Sequence, residues 1–234
     1  MVNSLNNLSV VATVSALLVV THAAPSSAET ITDGRVWWNV TVQERAGTAS
    51  PWRWYMETQG RHRDGTSDVD QMLIRPAVGY DLTSRSSVWA GYGYTPGYPA
   101  SGGVLTENRA WQQYLWNGPA LGGVVQSRTR VEQRSIEDND ALAWRVRQFA
   151  RITKPVARPA GLAVVVWNEL FIHVNDTRRT PQGFDQNRVF AGMGMTVAPG
   201  ARLEVGYVNQ AIRGASSLPE RQHHILLGFL NLTY

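Results

Sequence analysis

The final twelve residues, "HHILLGFLNLTY" (223–234), alternate between two faces up to the last position. Leu226, Leu230 and Leu232 share one face with Tyr234, and alternation with a period of two is the pattern of a β-strand. A chain end usually frays unless its backbone is paired with another segment. An apolar strand in this position therefore favours a closed barrel in a lipid bilayer, in which the last strand pairs with the first.

The rest of the chain repeats this pattern. From Arg35 onward, eleven segments of about ten residues are separated by clusters of Gly, Pro, Asn, Asp and Ser, which is typical of tilted membrane strands. Short connections such as "APGA" (198–201) alternate with longer polar ones such as "VNDTRRTPQGFDQN" (174–187). We predict an all-β fold, a transmembrane antiparallel up-and-down β-barrel of 10–12 strands. Because bacterial barrels use even numbers, we favour 12, with one short strand in 29–34.

The N-terminal region predicts export. The apolar run "NLSVVATVSALLVVTHAA" (7–24) is too short for a spanning helix, and Ser26 and Ala28 follow at positions that a signal peptidase reads, although Lys and Arg are missing before the run. We therefore divide the chain into a signal peptide, 1–28, and a barrel domain, 29–234. The remaining chain has no apolar stretch of about 18 residues, which excludes a helical membrane protein. The expected location is the outer membrane of a Gram-negative bacterium.

The charge composition excludes one class of function. The chain has 22 Lys plus Arg against 18 Asp plus Glu, and the net charge of +4 is too small to indicate nucleic-acid binding. Only Lys154 is a lysine, so the basic residues are almost all arginines. A planar guanidinium can be held in a dense network with carboxylates in a restricted space.

Two central segments separate the faces of the predicted barrel. In "VVQSRTRVEQRSI" (124–136) and "ALAWRVRQFARIT" (141–153), the arginines fall on one face. An arginine facing lipid costs about 2–4 kcal/mol at the bilayer centre, so this face has to point into the lumen. The lumen or constriction candidates are Arg75, Arg109, Arg128, Arg130, Glu132, Arg134, Arg145, Arg147, Arg151 and Glu169. They either fill and rigidify a narrow barrel or form a positively biased constriction that selects anions.

Aromatic residues near the strand ends predict two membrane interfaces, where amphipathic rings settle at headgroup level. The girdle candidates are Trp38, Trp54, Trp116, Trp144, Tyr207 and Tyr234, and Trp37 and Trp89 are assigned to the same belt. An aromatic core in a soluble barrel is the alternative interpretation.

No catalytic site, metal site or cofactor is predicted. His173 lies near a strand end, but no Ser stands in a fixed local relation to it, and a hydrolase would also need a carboxylate there in the folded chain. Asp64, Asp68 and Asp70 could offer oxygen ligands to calcium, but their spacing is not that of a known calcium loop.

Several phrases in a fixed order resemble a known family. They are "VWAGYGY" (88–94), "ENRAWQQYLW" (107–116), "SRTRVEQR" (127–134), "WRVRQFARI" (144–152), "WNELFIHVND" (167–176), "FDQNRVFAGMG" (184–194) and "RLEVGYVNQ" (202–210). The chain resembles the domain-of-unknown-function 2490 family, whose members look like exported bacterial outer-membrane barrels. The resemblance implies a fold and a location, and it carries over no activity or site residue.

Three functions remain open from the sequence. The first is a small porin-like passive pore that favours anionic solutes. The second is a closed barrel whose long loops contact lipopolysaccharide or a partner. The third, a lipid-modifying enzyme at the rim near His173, is least favoured. The expected partners are outer-membrane lipids and lipopolysaccharide, the barrel-assembly machinery during biogenesis and small anionic solutes, but not nucleic acid.

Overall fold

The computed structural model describes residues 30–47, 50–63, 67–157, 159–214 and 219–234. These residues form eleven β-strands: β1 (Thr30–Gln43), β2 (Trp52–Arg63), β3 (Asp68–Asp81), β4 (Ser86–Gly97), β5 (Leu105–Ala120), β6 (Gly123–Ile136), β7 (Ala143–Pro155), β8 (Leu162–His173), β9 (Gly183–Ala198), β10 (Ala201–Ile212) and β11 (Glu220–Thr233). In this described part, no helix is long and apolar enough to cross a membrane. The predicted signal peptide, 1–28, lies outside the described residues.

The strands form one closed barrel in which neighbours in the sequence are neighbours in the sheet. All pairs of consecutive strands are antiparallel. The closing pair, β1 and β11, is parallel, with Thr30 opposite Glu220 and Gln43 opposite Thr233. When strands alternate in direction and their number is odd, the first and the last point the same way. The closing pair therefore has to be parallel.

This architecture confirms the all-β barrel and the pairing of the last strand with the first, and the strand count lies within the predicted 10–12. The preference for 12 strands is wrong, and the barrel is not antiparallel at its closure. Residues 30–34 extend β1 rather than forming a strand of their own. Asp33 and Gly34 resemble a turn in the sequence, but the barrel holds them extended opposite His223 and His224.

The two ends of the barrel differ in their connections. We call the end with the connections 98–104, 137–142 and 174–182 the loop end, and the opposite end the turn end. At the turn end, β5 and β6 are joined by two residues only, as are β9 and β10. Gly122 and Gly200, the second residue of each of these turns, have φ of 71° and 74°, a backbone conformation in which glycine avoids the steric cost of a side chain.

Two apolar clusters fill opposite sides of the barrel interior. The larger consists of Trp37, Val165, Phe190, Val208, Ile225 and Leu227, with Trp167 packed against it. The smaller consists of Ala77, Trp89 and Trp111, with Tyr55 and Leu115 packed against it. The first lies on β8 to β11 and β1, and the second on β2 to β5. The polar side chains of the interior lie between these two clusters.

Candidate functional site in the barrel interior

The structure places all ten predicted lumen residues in the barrel interior. Arg75, Arg109, Arg130, Glu132, Arg134, Arg145, Arg147 and Glu169 are buried, and Arg128 and Arg151 are half-buried. They lie on alternate positions of their strands, so that each guanidinium meets groups on neighbouring strands rather than the outer surface. Eight of the side chains come together in one network, whereas Arg75 pairs separately with Glu57 and Arg151 with Glu204.

Glu132 and Glu169 are the acceptors at the centre of this network. Arg147 donates to both of them, at 2.6 Å from Nη1 to Glu132 Oε1 and 2.6 Å from Nη2 to Glu169 Oε1. Arg145 adds two bonds to Glu132 Oε2, of 2.9 and 2.6 Å, and Arg128 donates to Glu169. Glu132 is only 1% exposed. Its charge is balanced by guanidinium groups and not by water, which is what a carboxylate buried this deeply requires.

Arg130 joins this network to the smaller apolar cluster. Its guanidinium carbon lies 4.0 Å from the centre of the Trp111 ring, and its Nε and Nη2 donate to Gln113 Oε1. Trp111 lies so close to Gly91 that a Cβ at that position would come within 2.3 Å of the ring. The glycine therefore makes room for the indole, which then supports a buried cation over its face.

On the other side, Arg188 reaches across the interior. Its guanidinium carbon is 4.7 Å from the Phe171 ring on β8 and 5.0 Å from the Trp37 ring on β1. Together these contacts form a section that we call the middle layer, defined as Trp111, Arg130, Glu132, Arg147, Glu169, Phe171 and Arg188. All seven side chains are buried. The middle layer separates two cavities.

The cavity at the loop end has a volume of about 320 Å³. Nine arginines line it, namely Arg35, Arg61, Arg109, Arg134, Arg145, Arg147, Arg179, Arg188 and Arg221. Three carboxylates also line it, namely Asp70, Glu107 and Asp185. Four of these arginines also have carboxylate partners outside the lining, namely Arg35 with Asp33, Arg145 and Arg147 with Glu132, and Arg179 with Asp138. His173 and His223 complete the ionisable part of the lining.

Two β-bulges supply two of those three carboxylates. Arg61 and His62 pair with Gln71 and Val69, which leaves Asp70 as an extra residue in β3. The same irregularity in β9 makes Asp185 an extra residue between Phe184 and Gln186. A bulge redirects the side chains around it. As a result, two consecutive residues at each bulge line the loop-end cavity, namely Asp70 with Gln71 and Asp185 with Gln186.

The cavity at the turn end has a volume of about 420 Å³ and a more balanced lining. Four arginines line it, namely Arg128, Arg130, Arg151 and Arg202, against the carboxylates Glu57 and Glu204. Among the described residues, none lines both cavities. Arginines outnumber carboxylates by nine to three in the loop-end lining and by four to two in the turn-end lining.

His173 is buried at the loop end beside a carboxylate. Its Nε2 is 3.4 Å from Asp185 Oδ2 and 2.9 Å from Nη1 of Arg134, and its Nδ1 is 3.2 Å from the carbonyl oxygen of Pro181. The carboxylate that a rim enzyme would need is present, but Nε2 already faces a guanidinium donor. Since Arg134 cannot accept a proton, Nε2 is not free to act as a general base toward a hydroxyl.

The predicted girdle residues lie mostly on the outer surface. Trp38, Trp54, Trp144, Tyr207 and Tyr234 are exposed, and Trp116 is half-buried. At the turn end, the rings of Trp54 and Tyr234 are 5.5 Å apart. The assignment of Trp37 and Trp89 to this belt is wrong, because both are buried in the interior. Adjacent residues of a strand point to opposite faces, so Trp37 and Trp38 cannot both lie outside.

Comparison with known proteins identifies the family. A family model described as "Protein of unknown function (DUF2490)" matches residues 34–220. The chain belongs to this family. A similar protein, an uncharacterized protein of Methylorubrum extorquens, is 33% identical over 214 residues, which are 90% of this chain and 92% of the relative. The resemblance inferred from the quoted phrases is thereby confirmed.

Reasoning from the sequence missed two important members of the interior of this DUF2490 protein. Arg188 was not among the lumen candidates, although it lies two residues from Phe190 on the same face of β9. Trp37 was assigned to the outside. The signal that could have found both is strand parity, because Arg35, Trp37 and Asn39 share one face of β1. Asp64, one of the three loop aspartates, lies outside the described residues, and Asp70 pairs with Arg35 at 2.6 Å.

Proposed function

We propose that this DUF2490 protein is an outer-membrane barrel that is closed at mid-height and receives small anionic solutes into its loop-end cavity. The observation that carries the proposal is the asymmetry of the interior, with nine arginines against three carboxylates on one side of a buried middle layer. The geometry favours this closed barrel over a continuously open pore, because a pore needs a passage between the two cavities and their linings share no residue.

The distribution of apolar residues supports a membrane location. In the described part of the chain, thirty-two large hydrophobic side chains are exposed and only fifteen hydrophobic residues are buried, whereas twenty-one polar or charged residues are buried. Val78 and Leu226 on the outer face are 53% and 55% exposed. Soluble proteins rarely expose apolar surface on this scale, and a barrel in lipid needs an apolar outside and tolerates a polar inside.

The polar side chains on the outer face also fit a low-dielectric surrounding. Gln112 and Gln133 exchange two amide hydrogen bonds, of 3.3 and 3.0 Å. Asn168 donates to the side chain of Asn187 at 2.7 Å. Polar groups that face lipid are costly unless they are hydrogen-bonded, and these groups are bonded to each other across neighbouring strands.

The location is tested by placing a charge on the outer face. Leu226→Arg should reduce the free energy of unfolding in phospholipid vesicles by about 2–4 kcal/mol if the residue faces lipid. A residue exposed to water would tolerate the change within about 0.5 kcal/mol. Val104→Arg is the matched control, since Val104 is 53% exposed but lies in the loop-end connection 98–104. Equal and small effects of both substitutions would exclude a lipid-facing β11.

The closure is tested by conductance of the refolded protein in a planar bilayer. We expect the wild type to insert without steady current steps. The double variant with Trp111→Ala and Arg130→Ala removes two side chains of the middle layer and should produce anion-selective steps. Arg53→Ala, at the turn end and outside the layer, is the control and should remain silent. Stable anion-selective steps in the wild type would overturn the closed barrel and favour the open pore.

A further inference from the structure

We infer that the loop-end cavity contains a binding site for a phosphate group, formed by the guanidinium groups of Arg61 and Arg188, which both contact the Trp37 ring. This inference rests on the proposed function, because it specifies which anion the cavity takes and which residues hold it.

Arg61 and Arg188 converge on one aromatic ring from distant parts of the barrel. The guanidinium carbon of Arg61, on β2, lies 4.4 Å from the centre of the Trp37 ring, and that of Arg188, on β9, lies 5.0 Å from it. Cation–π attraction helps to hold each group, but one ring cannot cancel two positive charges. The two guanidiniums are therefore kept close together by the fold although they repel each other.

These two arginines differ from their neighbours in lacking an acidic partner. Among the described residues, no carboxylate lies within 4.0 Å of Arg61 or Arg188, whereas Arg145 and Arg147 are each paired with two. Arg61 donates only to the side-chain oxygens of two glutamines, Gln59 and Gln71. Within the described part of the chain, the guanidinium of Arg188 makes one hydrogen bond, to Gln186 Oε1 at 3.2 Å. Neither guanidinium thus has a direct ion pair, although Glu169 and Asp185 attract Arg188 from beyond 4.0 Å.

Unsatisfied donors also lie at this place, as they do at Arg128 Nε and Arg202 Nη2 at the turn end. Nε of Arg188 and Nε1 of Trp37 are both buried and have no hydrogen-bond partner in the described structure. Arg188 is more than nine-tenths buried. It lines the loop-end cavity together with Trp37 and Arg61. An unpaired buried donor is costly, and a charged one more so. In a cavity wall, such a group is available to an acceptor that enters the cavity.

The surrounding charges make the acceptor an anion. The ionisable groups that act most strongly on Arg61 are four other arginines, Arg188, Arg109, Arg75 and Arg147, and all of them repel it. A cavity that focuses potential of one sign concentrates ions of the opposite sign. The rim is reachable from the loop end, where the Arg179 side chain is 38% exposed and lines the same cavity.

A phosphate group fits this arrangement in charge and in shape. A phosphomonoester carries about 1.5–2 negative charges near neutral pH and offers three acceptor oxygens, which matches two guanidiniums without a direct ion pair and with several free donors. Guanidinium forks bind phosphate through paired hydrogen bonds. The cavity volume of about 320 Å³ lies at the small end of ligand pockets. The phosphate could belong to a free solute or to a lipopolysaccharide headgroup, since both present the same chemistry.

The test is calorimetric titration of the refolded full barrel with inorganic phosphate at fixed ionic strength. We expect saturable binding to the wild type and at least tenfold weaker binding to Arg61→Gln and to Arg188→Gln. Arg61→Lys keeps the charge but loses the fork, and it should recover only part of the affinity. Wild-type phosphate affinity in both glutamine variants would overturn the site.

Arg53→Gln is the matched control. Arg53 is buried and, like Arg61, lies over an indole, with its guanidinium carbon 4.8 Å from the centre of the Trp89 ring. Unlike Arg61, it is paired with a carboxylate, Asp81, at 3.0 Å, and it lies at the turn end. Its substitution should leave phosphate affinity unchanged. Equal losses in Arg53→Gln and Arg61→Gln would show a general effect on the fold and would overturn the assignment.

Two further titrations separate the sources and the possible failures. Displacement of phosphate by vesicles that contain lipopolysaccharide supports a headgroup as the ligand, and binding without displacement supports a free solute. Citrate binding without phosphate binding would overturn the phosphate site and leave the proposed anion cavity standing. If a folded barrel binds neither anion, both the site and the anion-receiving function fail, whereas the conductance experiment still decides on closure.

Discussion

The two cavities of the barrel are built from the same residue types but balance their charges differently. At the turn end, Glu204 accepts from both Arg151 and Arg202, and Arg53 is paired with Asp81. At the loop end, nine arginines meet three carboxylates, and Arg61 and Arg188 have no acidic partner within 4.0 Å among the described residues. At the turn end, these arginines are paired with carboxylates of the protein. At the loop end, two guanidiniums remain available to a ligand.

This difference indicates what each end contributes. A paired charge in the interior fills space and fixes neighbouring side chains, but it attracts nothing further. An unpaired guanidinium lowers stability because burial removes its hydration, and such a cost is typical of residues that are retained for binding. The turn end and the carboxylate-paired members of the middle layer are therefore structural, and Arg61 and Arg188 at the loop end hold the charge that is available for binding.

The largest expected effect comes from the middle layer. Glu132→Gln removes a charge shared by Arg145 and Arg147, and we expect it to lower the free energy of unfolding by about 3–5 kcal/mol, because two buried guanidiniums lose this negative charge and one acceptor oxygen becomes an NH2 donor. Denaturant unfolding of the refolded barrel, followed by tryptophan fluorescence, measures the change.

Glu204→Gln is the matched substitution at the turn end. Glu204 is also buried, but its partners Arg151 and Arg202 keep 17% and 28% of their side-chain surface exposed. They remain partly hydrated when the carboxylate is lost, so the expected loss is smaller, about 1–3 kcal/mol. Equal losses of stability would show that the arginines of the middle layer do not depend more strongly on their carboxylate than those of the turn end.

A smaller effect, of opposite sign, is expected at the loop end. Arg61→Gln removes a half-buried charge without an acidic partner and can keep a hydrogen bond to Gln59 or Gln71. In phosphate-free buffer it should raise stability by about 0.5–2 kcal/mol, as removal of strained functional groups commonly does. The same unfolding experiment measures it.

The comparison for this prediction is Arg53→Gln, which should destabilise the barrel, because Asp81 then loses its partner. Added phosphate should stabilise the wild type and not the Arg61→Gln variant, since only a ligand bound to the native state shifts the unfolding equilibrium. Destabilisation by both substitutions in phosphate-free buffer would mean that Arg61 is a structural residue.

The barrel and the inward face of β6 and β7 could be predicted from the sequence, because alternation and the cost of arginine in lipid act within a single strand. "SRTRVEQR" (127–134) fixes its own inner face in this way. The eleven segments of the sequence match the eleven strands, and the preference for 12 came from the even strand numbers of bacterial barrels rather than from this chain. Asp33 and Gly34, placed in a possible twelfth strand, become part of β1 through pairing with β11.

The site could be predicted only in part, for a similar reason. Which arginine has a carboxylate partner depends on strands that are far apart in the sequence. Asp185 reaches Arg145 at 3.0 Å because a bulge in β9 places it in the cavity, and nothing in the local sequence specifies a bulge. Arg188 reaches Trp37 across the barrel. Such contacts depend on how the strands close into a barrel, and the local sequence pattern does not specify them.

The smallest expected effect concerns the loops above the functional end. The pKa of Asp140 lies below its ordinary value, because its carboxylate accepts a hydrogen bond from the backbone N–H of Arg178, at 2.9 Å. This bond joins the connections 137–142 and 174–182. A carboxyl group with a lowered folded-state pKa stabilises the fold above its unfolded pKa, and the contribution disappears as the pH falls through the folded value.

The contact should therefore hold at neutral pH and weaken only below about pH 4, near the ordinary pKa of an aspartate. Asp140→Asn should remove this pH dependence and speed amide hydrogen exchange in 174–182 at neutral pH, while the strands exchange as in the wild type. Asp138→Asn is the control, since Asp138 is also exposed and its carboxylate pairs only with the side chain of Arg179, at 3.4 Å. Equal acceleration by both variants would show that loop charge in general, rather than the bond to Arg178, holds the covering loop over the cationic cavity.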